Sequence, residues 1–85
     1  MSWEVVLTDA AMRDLRRVDK KVAERVIRAL ERLAETGHGD VARLTVDDPE
    51  WRLRVGDWRV RFVFDYETHT ITVLHIRHRG SAYRD

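Results

Sequence analysis

The sequence predicts an α+β fold in the order βααβββ, with two N-terminal helices packed on one side of a mainly antiparallel four-stranded sheet. Two patterns carry this expectation. Apolar residues recur at helical spacing between Asp9 and Glu35, and from Trp51 to Phe62 apolar residues alternate strictly with arginine on both sides of Gly56-Asp57. The 85 residues suit one domain spanning 1–85 and one modest core.

Taken in order, Ser2 to Leu7 reads as a first strand, with Trp3, Val5 and Leu7 alternating with Glu4. Thr8 or Asp9 can cap the helix that follows, whose apolar stripe is Ala11, Leu15 and Val18. Asp19 can cap a second helix from Lys20. Val22, Ala23, Val26, Ile27, Leu30, Leu33 and Ala34 form its buried stripe, and Arg25, Arg28, Glu31, Arg32 and Glu35 form its solvated one. Gly37 supplies the stop. Residues 38–50, which contain His38, Gly39, Asp47, Asp48 and the only proline, Pro49, read as a loop. The hairpin comes next. A turn-rich stretch from Asp65 to Thr70 then leads to a last strand, Ile71 to Arg77. No repeat or low-complexity segment is present.

Composition removes several function classes. Without cysteine there is no disulfide framework, thiolate metal site or thiol nucleophile. His38 and His69 fall in expected loops without converging acidic partners, so neither a zinc site nor any other metal or cofactor is expected. The N-terminus lacks the basic and apolar regions of a signal peptide, and no apolar run approaches the roughly 20 residues that span a bilayer. A cytoplasmic protein without a membrane partner is expected. The near-neutral total charge hides an asymmetry: nine Lys or Arg against eleven Asp or Glu in residues 1–50, and seven Arg against four acids in residues 51–85.

The hairpin concentrates that positive charge. A two-residue turn at Gly56-Asp57 sets Val55 opposite Trp58, Arg54 opposite Arg59, and Arg52 opposite Arg61. Opposite side chains share a face, so four guanidinium groups project together, while Trp51, Trp58, Phe62 and Phe64 point into the core. Like charges facing each other destabilise a sheet. Their clustering points to an anion, with a polyphosphate such as RNA the natural candidate. The competing reading is a solvated, salt-bridged sheet face.

The order of elements, the hairpin Trp51-Arg52-Leu53-Arg54-Val55-Gly56-Asp57-Trp58-Arg59-Val60 and the ending His78-Arg79-Gly80-Ser81-Ala82-Tyr83-Arg84 together resemble the RelE/ParE superfamily of bacterial toxins, and its RelE-like branch most. The resemblance covers essentially the whole chain. It implies a RelE-like fold and the toxin half of a type II toxin-antitoxin pair. Such a toxin enters the ribosome and cuts messenger RNA without a metal, by attack of a 2′-hydroxyl on the adjacent phosphate. The implied partners are a cognate antitoxin, the ribosome and its message, with operator DNA reached only through the antitoxin complex. ParE-like members share the fold but poison DNA gyrase. A third possibility is a catalytically inactive toxin kept as an antitoxin-binding co-repressor. No C-terminal helix like that of some relatives is expected, so the antitoxin is expected to cover the arginine face directly.

By resemblance, Arg52 and Arg54 fall where the family often has basic residues, Arg59 matches its arginine after the turn, and Arg79 matches its arginine near the C-terminus. Guanidinium groups can meet the charge that develops on a pentacoordinate phosphorus. With a pKa above about 12 they cannot act as bases near neutrality. His78 is therefore the candidate base, and Tyr83 a candidate proton donor or base-stacking ring. Arg61 and Arg77 join Arg52, Arg54 and Arg59 as RNA-binding candidates. His75, three residues before His78 on one strand, faces the opposite side and is left out of that site.

Overall fold

The computed structural model describes residues 2–82. The chain runs β1 (Glu4–Leu7), α1 (Asp9–Arg17), α2 (Lys20–Thr36), β2 (Val41–Arg43), β3 (Glu50–Val55), β4 (Trp58–Asp65), β5 (Thr70–His78) and α3 (Arg79–Ala82), the last a single turn. One five-stranded sheet has the order β1-β5-β4-β3-β2. Only β1 runs parallel to its neighbour, and every other pairing is antiparallel.

Five strands stand where four were expected. The additional one, β2, lies inside the expected loop and pairs Val41 with Leu53, Ala42 with Arg52 and Arg43 with Trp51. Three residues are too few for period-two alternation to show, and the strand exists because β3 offers an edge for it to pair with. The chain reaches that edge in close contact with the core: a Cβ on Gly39 would lie 3.2 Å from a methyl of Leu53.

The remaining elements follow local chemistry. The Thr8 hydroxyl accepts from the Ala11 amide at 3.1 Å, capping α1. Asp19 occupies the N-cap of α2, but its side chain makes no capping bond. Gly37 ends α2 in the left-handed region (φ 75°), its amide donating to the Leu33 carbonyl.

The two helices cover one face of the sheet. Val26, Leu30, Leu33 and Ala34 of α2 and Ala11 of α1 meet Leu53, Val60, Phe62, Ile71, Val73 and Ile76, all buried. Each fully buried large side chain of this kind contributes about 1.5–3 kcal/mol by leaving water.

β1 pairs β5 only from Thr70 to Val73, so the second half of β5 has one open edge. Side chains of α1 and its N-cap close it. The Thr8 hydroxyl donates to the Leu74 carbonyl at 3.0 Å, and an Asp14 carboxylate oxygen accepts from the Ile76 amide at 2.9 Å. Because Thr8 both caps α1 and ties it to β5, Thr8→Ala is expected to lower the unfolding free energy by about 1–2 kcal/mol, read by urea denaturation. A change below about 0.3 kcal/mol would contradict this double role.

Two turns set the register of the arginine-bearing strands. Gly56 supplies a positive φ of 59° at the first central position of the β3–β4 turn, as a tight hairpin requires. In the β4–β5 turn, the Asp65 carboxylate accepts from the Glu67 and Thr68 amides at 3.1 and 3.3 Å. His69 there is left-handed (φ 56°) and stacks on Trp3 at 3.9 Å. Between β4 and β5 the register shifts by one at Leu74: Phe62 faces Val73, whereas Arg61 faces His75.

Candidate functional site

The open face of the sheet, away from the helices, carries two rows of basic side chains. Arg54, Arg59 and Arg77 lie directly across from one another on β3, β4 and β5, and Arg52, Arg61 and His75 form the row beside them. Opposite pairs in such a ladder bring Cβ atoms to about 4.5–5.5 Å. The four hairpin arginines thus share one surface in the expected register, and Arg77 joins them. Trp51, Phe62 and Phe64 lie on the helix-covered face, where Trp51 and Phe62 each meet Phe64 edge to face at 5.5 and 5.1 Å.

The arginines differ in what holds them. Arg54 Nε donates to Asp40 Oδ2 at 2.6 Å, with both side chains about half exposed. Arg61 reaches a Glu50 oxygen at 3.4 Å. Exposed ion pairs contribute roughly 0–1 kcal/mol, so an incoming phosphate can take Arg54 from Asp40 at little expense.

Arg59 is different in kind. It is only 8% exposed, and its terminal nitrogen donates to the Gly56 and Trp58 carbonyls, each at 3.1 Å. This guanidinium braces the hairpin turn, and a transition-state role for it is restricted by that commitment. Arg52 has no carboxylate partner among the described residues. The Nε atoms of Arg52 and Arg59 and the Nδ1 of His75 are all buried without a hydrogen-bond partner. Three orphaned nitrogens on one face are a departure from the usual satisfaction of buried polar groups.

The two histidines separate as their spacing requires, and it is His75, not His78, that shares the arginine face. His75, left out on sequence grounds, lies on the arginine face opposite Arg61. His78 lies across from Trp58 on the other face, its ring edge-on to the indole at 5.3 Å. There it helps line a groove of about 360 Å³ with Asp14, Arg17, Val18, Trp58, Ile76 and Arg77. The structure therefore does not bring His78 to the four hairpin arginines. The pKa of His75 is pulled below the ordinary imidazole value, first by burial and then by the nearby Arg77 and Arg61 charges, against partial opposition from Asp14 and Glu50.

Arg79 opens α3 beside the hairpin turn. Its amide donates to the Asp57 carbonyl at 2.7 Å, and its exposed guanidinium stands 3.7 Å from the Asp57 carboxylate. Tyr83, the remaining candidate, lies outside the described residues. Among the described residues, no group of three or more His, Asp or Glu is placed to hold a metal ion. No helix among them is long and apolar enough to cross a membrane.

This fold recurs in known proteins. Residues 5–83 match the family model described as the ParE toxin of type II toxin-antitoxin system, parDE, and the chain belongs to that family, within the RelE/ParE superfamily. Solved structures share the fold. The RelBE2 toxin-antitoxin complex from Mycobacterium tuberculosis is 23% identical, with 93% of this chain and 100% of that chain covered and a TM-score of 0.81. The archaeal RelE-RelB complex from Pyrococcus horikoshii OT3 is 22% identical, covering 94% and 98%, with a TM-score of 0.78. A free double mutant of the E. coli toxin RelE is 16% identical, covering 98% and 90%, with a TM-score of 0.76. No curated protein sequence matches the chain.

Proposed function

We propose that this type II toxin is a ribosome-dependent endoribonuclease that cuts messenger RNA by 2′-hydroxyl attack on the adjacent phosphate, and that it is held in check by a cognate antitoxin laid over the arginine face. The observation that carries the reading is the pair of adjacent basic rows, in which Arg52 has a buried, unpartnered Nε and no carboxylate partner among the described residues. Self-repulsion and orphaned donors are both unfavourable in the free protein, and a phosphate backbone relieves both at once. Arg52 and Arg54 are assigned to the phosphate. Arg61, Arg77 and Arg79 are assigned to flanking phosphates, and Arg59 to keeping the hairpin in shape. An acidic antitoxin segment answers the same charge, which makes inhibitor and substrate mutually exclusive. Operator DNA is then contacted only through the antitoxin complex, and the site of action is the cytoplasm.

A second reading, inhibition of DNA gyrase, is favoured by the parDE family match and by the carboxylate partners that already hold Arg54, Arg61 and Arg79. In that case the same face is a protein-binding surface. The two separate cleanly in one experiment. Purified toxin is added to translating ribosomes, new 5′ ends on the message are mapped, and a gyrase supercoiling assay is run in parallel. Cuts within translated codons with unaffected supercoiling are expected. Intact message with arrested supercoiling would establish the second reading. Neither effect would indicate an inactive antitoxin-binding protein.

A further inference from the structure

Attack on the phosphate needs a group that takes the proton of the 2′-hydroxyl, and guanidinium cannot do so near neutrality. We propose that His75 is the general base of this toxin, receiving that proton at its Nε2. The inference rests on the ribonuclease reading.

Position supports it first. His75 is directly across from Arg61, in the same row as Arg52 and beside the row of Arg54, Arg59 and Arg77. Arg52, Arg61 and His75 stand side by side on β3, β4 and β5, so the row that would hold a phosphate continues to this ring. The ring is half-buried, with Nδ1 enclosed and unpartnered, which leaves Nε2 as the nitrogen able to meet a substrate. Four charged groups act on it electrostatically: Arg61 from β4, Arg77 from β5 itself, Glu50 from β3 and Asp14 from α1. Burial and the two guanidinium groups favour the uncharged ring, and the two carboxylates oppose them without prevailing. Near pH 7 the imidazole is thus neutral, the form that accepts a proton.

The step balances without another reactant. The 2′-hydroxyl proton passes to His75 as the O2′–P bond forms, and the P–O5′ bond breaks. The leaving 5′-oxygen takes a proton from solvent, and the imidazolium returns its own to solvent. Arg52 and Arg54 meet the charge on the non-bridging oxygens. The products are a 2′,3′-cyclic phosphate and a 5′-hydroxyl.

The test is single-turnover cleavage of ribosome-bound message as a function of pH, for the wild type and for His75→Ala, His75→Gln, His78→Ala and Glu50→Gln, each checked for folding by circular dichroism. The wild-type rate is expected to rise with pH along an acid limb whose apparent pKa is below 6.5, and then to level off. His75→Ala is expected to slow cleavage by about 100-fold or more and to abolish that limb. His75→Gln serves if the alanine variant does not fold, with the same expectation. Glu50→Gln removes a carboxylate that raises the pKa, so its acid limb moves to lower pH. In His78→Ala the limb keeps its position. A His75 variant that cleaves within about threefold of wild type with the limb intact overturns the assignment and spares the ribonuclease reading. A limb lost in His78→Ala overturns it likewise. Intact message with the wild type overturns both.

Discussion

An Arg52→Ala, Arg54→Ala double variant is expected to cleave ribosome-bound message at least about 100-fold more slowly than wild type, in line with the loss of one or two preorganised donors to a developing oxyanion. The same variant is expected to melt at an equal or higher temperature. Arg52 and Arg54 each face another arginine across the β3–β4 ladder, Arg52 carries an unpartnered buried Nε, and the Arg54–Asp40 pair is half exposed. Removing them relieves repulsion and leaves the core untouched. Lost activity combined with kept or gained stability is the signature of side chains retained for function against the interest of the fold. A variant that loses melting temperature in step with cleavage would instead mark these arginines as structural.

Replacing Phe62 with alanine is expected to lower the unfolding free energy by about 3–5 kcal/mol. Phe62 is fully buried on β4, packs edge to face on Phe64 and lies among the side chains that α1 and α2 cover. Small domains have about 5–15 kcal/mol in total, so the loss is a large fraction of the stability. Urea denaturation measures the loss directly. A change under about 1 kcal/mol would mean that the layer beneath the helices is not the core on which the arginine face is mounted.

Much of the site was legible because a strand has a side-chain period of two. Strict alternation fixes which residues share a face, and a two-residue turn at Gly56-Asp57 fixes which oppose each other. The pairing of Arg52 with Arg61 and Arg54 with Arg59 follows from those facts alone. The helices were equally readable, from the stripe that ends at Ala34 and the stop at Gly37.

What escaped depends on contacts between segments distant in sequence. β2 is three residues long, and only its pairing to β3 makes it a strand. The spacing of His75 and His78 does place them on opposite faces. Which of them joins the arginines depends on the register of β5 against β4, including the shift at Leu74, and a turn of mixed composition does not disclose that. The burial of Arg59 comes from the position of β4 between β3 and β5 and from the carbonyls of the turn, neither of which is a property of the hairpin pattern. Asp40 and Glu50 became partners of Arg54 and Arg61 only through the fold.

The central claim is that the arginine face holds a ribose-phosphate while its own 2′-hydroxyl attacks. The most direct measurement uses two messages on programmed ribosomes, identical except that one carries a single 2′-deoxynucleotide at the mapped cut site. The all-ribose message is expected to be cut there, leaving a 2′,3′-cyclic phosphate and a 5′-hydroxyl, and the substituted message to remain whole at that position. Equal cutting of both messages would contradict the account.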